Sequence, residues 1–96
     1  MDIYELLKQK KPEILALANI YGAYNVRVFG SVSRREATYA SDIDLLVDLE
    51  ESSNLMDLGG LWEELNNLLE HPTEVFTVNT LKPRLRKSIL SDAKEL

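Results

Sequence analysis

Two apolar, β-rich runs, Val26-Arg27-Val28-Phe29 and Ile43-Asp44-Leu45-Leu46-Val47, flank a segment that holds Gly30-Ser31, ten further residues and Asp42. Both runs are too short for a helix and rich in residues that favour strands. A glycine-serine pair at the end of the first run marks a tight turn. Asp42 and Asp44 open the second. Side chains alternate faces along a strand, so these two carboxylates point the same way, with Cα atoms roughly 6.5 Å apart. Such a pair suits hard, oxygen-seeking cations such as Mg²⁺, which bind through one or two carboxylates together with substrate phosphates. A turn of small residues opposite the pair gives a phosphate chain somewhere to rest.

The flanking sequence supplies helices. Ile3, Leu6, Leu7, Ile14, Leu17 and Ala18 have helical spacing. Pro12 predicts a break, with a short first helix before it and a second helix starting near it. Gly22 is a C-terminal stop. The first strand is predicted over 26–29, a turn leading into a short helix over 31–37, and the second strand over 42–49. A polar loop, Glu50 to Asn54, follows, and Gly59-Gly60 punctuates the approach to the next helix. Leu61, Trp62, Leu65, Leu68 and Leu69 form an amphipathic stripe. Trp62 on that stripe reads as core and not as a base-stacking platform. His71-Pro72 ends the helix, and His71 reads as a turn residue and not as a catalytic one. Thr73 to Val78 is β-rich. Thr80 is the predicted N-cap of a last helix with Leu81, Leu85 and Ile89 on its buried side. The order α-α-β-α-β-α-β-α makes an α/β (α+β) domain whose sheet has three or more strands. Ninety-six residues allow one domain, 1–96, with no separate substrate-recognition unit.

Several function classes are disfavoured. The formal net charge is −5, and a nucleic-acid-binding domain usually carries a basic balance or stripe, so no direct nucleic-acid partner is expected. Lys82, Arg84, Arg86 and Lys87 form the best candidate for a basic surface, and equally the solvated face of a helix. No apolar run reaches the length of a membrane span. Asp2, Glu5, Lys8, Lys10 and Lys11 interrupt any signal-like segment. Without cysteine there are no disulfides, no thiolate nucleophile and no Cys-ligated zinc. A cytoplasmic location is the expectation.

The run Phe29-Gly30-Ser31…Arg34…Ala37…Ser41-Asp42-Ile43-Asp44-Leu45-Leu46-Val47 resembles the minimal nucleotidyltransferase (MNT) family of the DNA-polymerase-β-like superfamily. The resemblance covers the chain from about residue 14 onward, and residues 29–47 are its diagnostic part. It implies a nucleotidyltransferase fold, a mixed sheet with helices mainly on one face. It also implies transfer of a nucleotidyl group from a nucleoside triphosphate, with two metal ions held by Asp42 and Asp44. Backbone N–H groups at Gly30 and Ser31 would hold the terminal phosphates. Arg34 would pair with phosphate oxygens, and Arg35 would face solvent. Ser41 either orients the carboxylate or caps the turn. Family members carry a third carboxylate on a later strand, which ligates one metal and helps activate the attacking hydroxyl. The matching position here is Glu74, one methylene longer than the usual aspartate. Glu74 is then either the third ligand with shifted geometry or a solvated acid on an edge strand. Asp48 cannot replace it, lying about 13 Å beyond Asp44 along the strand.

Small MNT proteins resemble the antitoxin half of modules whose toxin is a helical HEPN ribonuclease. The implied function is transfer of AMP from ATP, with Mg²⁺, to a tyrosine of that toxin, in a homo- or hetero-oligomer. Two other readings are a catalytically weakened module that neutralises a toxin by binding alone, and a small-molecule nucleotidyltransferase. The length of the chain disfavours the second, because such enzymes need further structure to cradle the acceptor.

Overall fold

Asp2 starts the first helix, its carboxylate accepting the Glu5 N–H at 2.8 Å. In the computed structural model, which describes residues 2–38 and 40–96, α1 runs unbroken over Ile3–Ile20. The break predicted at Pro12 does not occur. Pro12 is exposed, so the Lys8 carbonyl that loses its helical donor lies on the solvent side. The buried residues Ile3, Leu7, Ile14 and Ala18 hold the helix down on both sides of the proline. Tertiary burial outweighs the local cost of one backbone hydrogen bond.

Among the described residues the sheet has four strands: β1 (Ala23–Phe29), β2 (Ile43–Leu49), β3 (Thr73–Phe76) and β4 (Lys94–Glu95). Their order is β3-β2-β1-β4. The β1–β2 and β1–β4 pairs are antiparallel and the β2–β3 pair is parallel. The mixed sheet expected from the sequence is present, with one strand more than the minimum. Strand β4 is two charged residues with no apolar alternation, so no periodicity announces it.

Strand alternation sorts the two faces. Ile43, Leu45 and Val47 of β2 are fully buried in one cluster with Val26, Val28, the α1 stripe and α2 (Leu55–Leu69). Leu46, between them, points to the opposite face. There it joins Phe29, Leu81, Phe76 and Ile89, the last of these from α3 (Pro83–Asp92). The Phe29 and Phe76 rings lie 5.6 Å apart at 58°. Helices α1 and α2 thus cover one face and α3 only part of the other. Asp44 shares its face with Leu46, the half-covered one.

Four local expectations are not met. Helix α2 begins at Leu55, before Gly59-Gly60, because Asn54 and Asp57 form a reciprocal capping box. Gly60 fits within the helix because a Cβ there would lie 2.5 Å from Tyr21 Cε1. Trp62 is not core: it is 45% exposed, one step around the helix from the Leu61-Leu65-Leu69 stripe that is buried. Thr80 is not the N-cap of α3. Its hydroxyl accepts the Thr77 N–H at 2.9 Å in a 3₁₀ turn over Val78–Thr80, and Lys82 precedes Pro83 at the start of α3. Of the residues predicted on its buried side, Leu81 and Ile89 pack inward and Leu85 is 42% exposed.

Candidate active site

The turn after β1 is built on Gly30, whose φ of +72° lies in the left-handed region. The Gly30 carbonyl accepts the Arg34 N–H at 3.2 Å and the buried Ser33 hydroxyl at 3.1 Å. The Arg35 N–H reaches the Val32 carbonyl at 3.2 Å, and the Glu36 N–H reaches Ser31 at 2.9 Å. This is one helical turn, and the short helix predicted over 31–37 does not form. Arg35 stops it, with a left-handed φ of 61°. That conformation is supported by the Arg35 guanidinium standing 4.6 Å over the Tyr4 ring. The Tyr4 hydroxyl also accepts the Ala37 N–H at 3.0 Å. In such a turn the N–H groups of Ser31, Val32 and Ser33 precede the first intra-turn donor, as at any helix start. The Ser31 N–H, one of the two donors expected to receive phosphate, is among them.

Asp44 lies directly across this turn. It is the register partner of Phe29 on β1 and of Glu74 on β3. A Cβ added to Gly30 would stand 2.8 Å from Asp44 Oδ2. Glycine at this position is thus required twice, by its backbone angle and by the carboxylate above it. Asp42 is exposed one residue before β2, and Glu74 is exposed on β3. Burial pushes the Asp44 carboxyl above the ordinary aspartate value, and the charges of Asp42 and then Glu74 push it further. The structure therefore brings all three acids into one electrostatic field on one face. Among the described residues, no three such side chains are already closed around a common point. Like charges without a counter-ion repel. The donor set is all carboxylate oxygen, the chemistry Mg²⁺ prefers, and a turn of small residues faces it. The residues fit the group that the motif implies.

A raised pKa means that the folded chain binds a proton at Asp44 more readily than the unfolded chain does. Ionised Asp44 is then a destabilising group at neutral pH. Stability falls as pH rises above the ordinary aspartate range, and the penalty disappears as Asp44 protonates. Asp44→Asn should raise the metal-free Tm at pH 7, with a gain that shrinks under more acidic conditions. Thermal unfolding followed by circular dichroism across that range checks this; a gain independent of pH would contradict it.

The other predicted residues separate. Ser31 is half-buried at the start of the turn. Arg34 is exposed, and its guanidinium is engaged by Glu36 at 3.2 Å and by Asp92 at the end of α3, which together raise its pKa, Asp92 the more strongly. Arg35 is exposed, as expected, and its guanidinium stacks on Tyr4. Ser41 caps the turn: its hydroxyl accepts the Thr38 N–H at 2.9 Å. Asp48 is held by Arg27 and Asn25, each at 2.9 Å, apart from the three site acids. His71 is in the α2–β3 connection, as read from the sequence, with Nε2 against the Ser41 carbonyl. The Ile43 N–H reaches the Pro72 carbonyl at 2.9 Å. These contacts join the approach to Asp42 with the approach to Glu74.

Three positioning residues escaped the sequence reading. Asn66 of α2 brackets the backbone of Thr73, accepting its N–H at 3.0 Å and donating to its carbonyl at 2.9 Å. That fixes the strand residue next to Glu74. Lys94 donates to the Ser33 carbonyl at 2.8 Å, and Asp92 holds Arg34, so the segment after α3 clasps the glycine turn. A lone Asn on a helix or a Lys near the end of the chain carries no local signal of either role.

Known proteins are similar to this chain in fold and in sequence. A solved structure provisionally described as a minimal nucleotidyltransferase superposes with a TM-score of 0.86 at 42% identity, over 100% of this chain and 97% of that one. A toxin–antitoxin structure with AMP-PNP superposes with a TM-score of 0.73 at 18% identity, covering 88% of this chain and 70% of that one, a likeness of fold. Among curated sequences, the protein adenylyltransferase MntA of Thermococcus cleftensis is 34% identical over 91 residues, 95% of this chain and 89% of its own length. MJ0435 of Methanocaldococcus jannaschii, provisionally named a protein adenylyltransferase, is 34% identical over 96 residues, 100% of this chain and 99% of that protein. The polymerase beta nucleotidyltransferase family model matches residues 2–96, and the chain belongs to that family.

Proposed function

We propose that this chain transfers AMP from ATP to a tyrosine of a helical HEPN-type toxin, silencing it, and so acts as an antitoxin in the cytoplasm. The observation that carries the reading is Asp44 standing over Gly30 with Asp42 and Glu74 in the same field. Relatives named protein adenylyltransferases over nearly the whole chain support the choice of a protein acceptor. The toxin partner is supported by the toxin–antitoxin complexes that share the fold. Among the described residues no helix is long and apolar enough to cross a membrane.

In this reading the N–H groups at Gly30 and Ser31 receive the terminal phosphates of ATP. Asp42, Asp44 and Glu74 would hold two Mg²⁺ ions, which neutralise the phosphates and the attacking oxygen. The tyrosyl oxygen attacks the α-phosphorus, a new P–O bond forms, and the bond to pyrophosphate breaks. Glu74, exposed and in register with Asp44, would help remove the hydroxyl proton. Asp44 supplies fixed negative charge from a half-buried position, and the turn orients the leaving group. Arg34 reaches phosphate only by leaving Asp92 or Glu36.

Glu74 tests the assignment. Glu74→Gln should lower turnover by roughly 10²-fold while ATP affinity changes much less, because its contribution falls at the transition state. Glu74→Asp, the residue usual in the family, should retain or improve activity. The measurement is adenylylation of the partner protein, scored by intact mass. Equal rates for all three proteins would remove Glu74 from the site.

A further inference from the structure

The basic residues that look scattered in the sequence meet behind the glycine turn. Tyr4, Leu7, Lys8 and Lys11 recur at helical spacing along one stripe of α1. Opposite that stripe are Arg35 of the turn and Lys94 of β4. Together they line a cleft of about 390 Å³ whose floor is Leu7, Val28, Val32 and Leu96. The cleft is on the α1 side of the sheet, where Val28 pairs with Lys94, and Asp44 is on the other side. Glu95 is the one Asp or Glu side chain among its lining residues, against four cations, in a chain whose formal net charge is −5. Lys10, by contrast, points to Glu13 at 3.6 Å. Strand β4 forms the edge of the sheet. An edge strand presents backbone N–H and C=O groups to an incoming extended chain.

We propose that this cleft binds an extended acidic segment of a partner protein. The segment lies in the cleft, with apolar side chains turned down onto the Leu7-Val28-Val32 floor and the alternating carboxylates turned up toward Lys8, Lys11 and Arg35. The cations come from three elements, Lys8 and Lys11 from α1, Arg35 from the turn and Lys94 from β4, and the floor is apolar. That pattern matches alternating acidic and apolar residues better than a single phosphate. The groove shares Val32, Ser33 and Arg35 with the turn across from Asp44. A protein docked there is held beside the nucleotide site by contacts that do not enter it. Naming the owner of the segment as the AMP acceptor rests on the function proposed above; the chemistry of the groove does not.

The test uses the full chain, isotopically labelled, titrated by NMR with a capped peptide of alternating valine and glutamate, without ATP or Mg²⁺. The peptide should shift the Val32, Lys94 and Glu95 amides saturably. Lys8→Glu/Lys11→Glu should raise its Kd by roughly tenfold or more, since two charge-assisted contacts become repulsive. Lys8→Gln/Lys11→Gln should weaken it in the same direction with less perturbation of the fold, and Lys10→Glu should leave it unchanged. The matched valine–lysine peptide should not bind. No saturable shift in those residues, equal affinity in both double variants, or displacement of the peptide by a short oligoadenylate would overturn the proposal. Because no transfer occurs in the assay, its failure and a failure of the adenylyltransferase reading are separate results.

Discussion

Asp42→Asn/Asp44→Asn should give a folded protein, at least as heat-stable as the parent, that has lost AMP transfer by roughly 10³-fold or more. The size follows from the metal ions that the two carboxylates are proposed to hold. Charge stabilisation by bound metal contributes several kcal/mol to such a transition state, and each 1.36 kcal/mol is a factor of ten. The stability follows from Asp44 itself, whose ionised form is disfavoured by burial and by its acidic neighbours. The informative comparison is between transfer and protection. Intact mass of the partner reports transfer, and growth or RNA integrity in the partner's presence reports protection. Loss of both assigns silencing to chemistry. Undiminished AMP transfer by the double variant would sink the site. Loss of transfer with protection retained would show a module that masks its partner, the reading that Glu74 in place of aspartate keeps open.

Gly30→Val should be the most damaging single change at the turn. The backbone there has φ +72°, where a non-glycine residue costs about 1–2 kcal/mol and a β-branched one more. The new Cβ would also stand 2.8 Å from Asp44 Oδ2, so the carboxylate must move. Both effects fall on the face proposed to receive phosphate. ATP affinity should drop by at least about tenfold, the effect of losing one or two good contacts, with a smaller loss in Tm. Ser31→Ala should be mild, since it deletes one donor among several. Calorimetric titration with ATP, in parallel with thermal unfolding, separates binding from folding. An unchanged ATP affinity in Gly30→Val would show that phosphate does not rest on this turn.

Much of the candidate site's layout was legible because it is local. Gly30-Ser31 closes one strand and Asp42-x-Asp44 opens the next, so a chain that pairs these strands must place the carboxylates near the turn. The register of Phe29 with Asp44 fulfils that requirement. The α1 and α2 stripes were readable for the same reason: period 3.6 is written in consecutive residues. The misreadings share a cause. Pro12, Gly59 and Gly60 are local helix breakers, and each stands inside a helix that burial or capping stabilises by more than the breaker costs. Trp62 is apolar and adjacent to the stripe, and a 100° step around the helix leaves it nearly half exposed.

By itself the sequence determined the strand–turn–strand unit, the acids it carries, the family to which they belong and the apolar faces that bury the helices. Those properties depend on residues within a few positions of one another. Only the tertiary structure decided that Arg34 is committed to Asp92, that Asn66 fixes the start of β3, that Lys94 ties β4 to the glycine turn, and that Lys8, Lys11 and Arg35 share one cleft. A polar side chain takes whichever partner the packed core brings within about 3 Å. A two-residue strand exists only because β1 offers it a free edge. Neither choice leaves a trace in local periodicity, because each is made between segments that meet only after the core has formed.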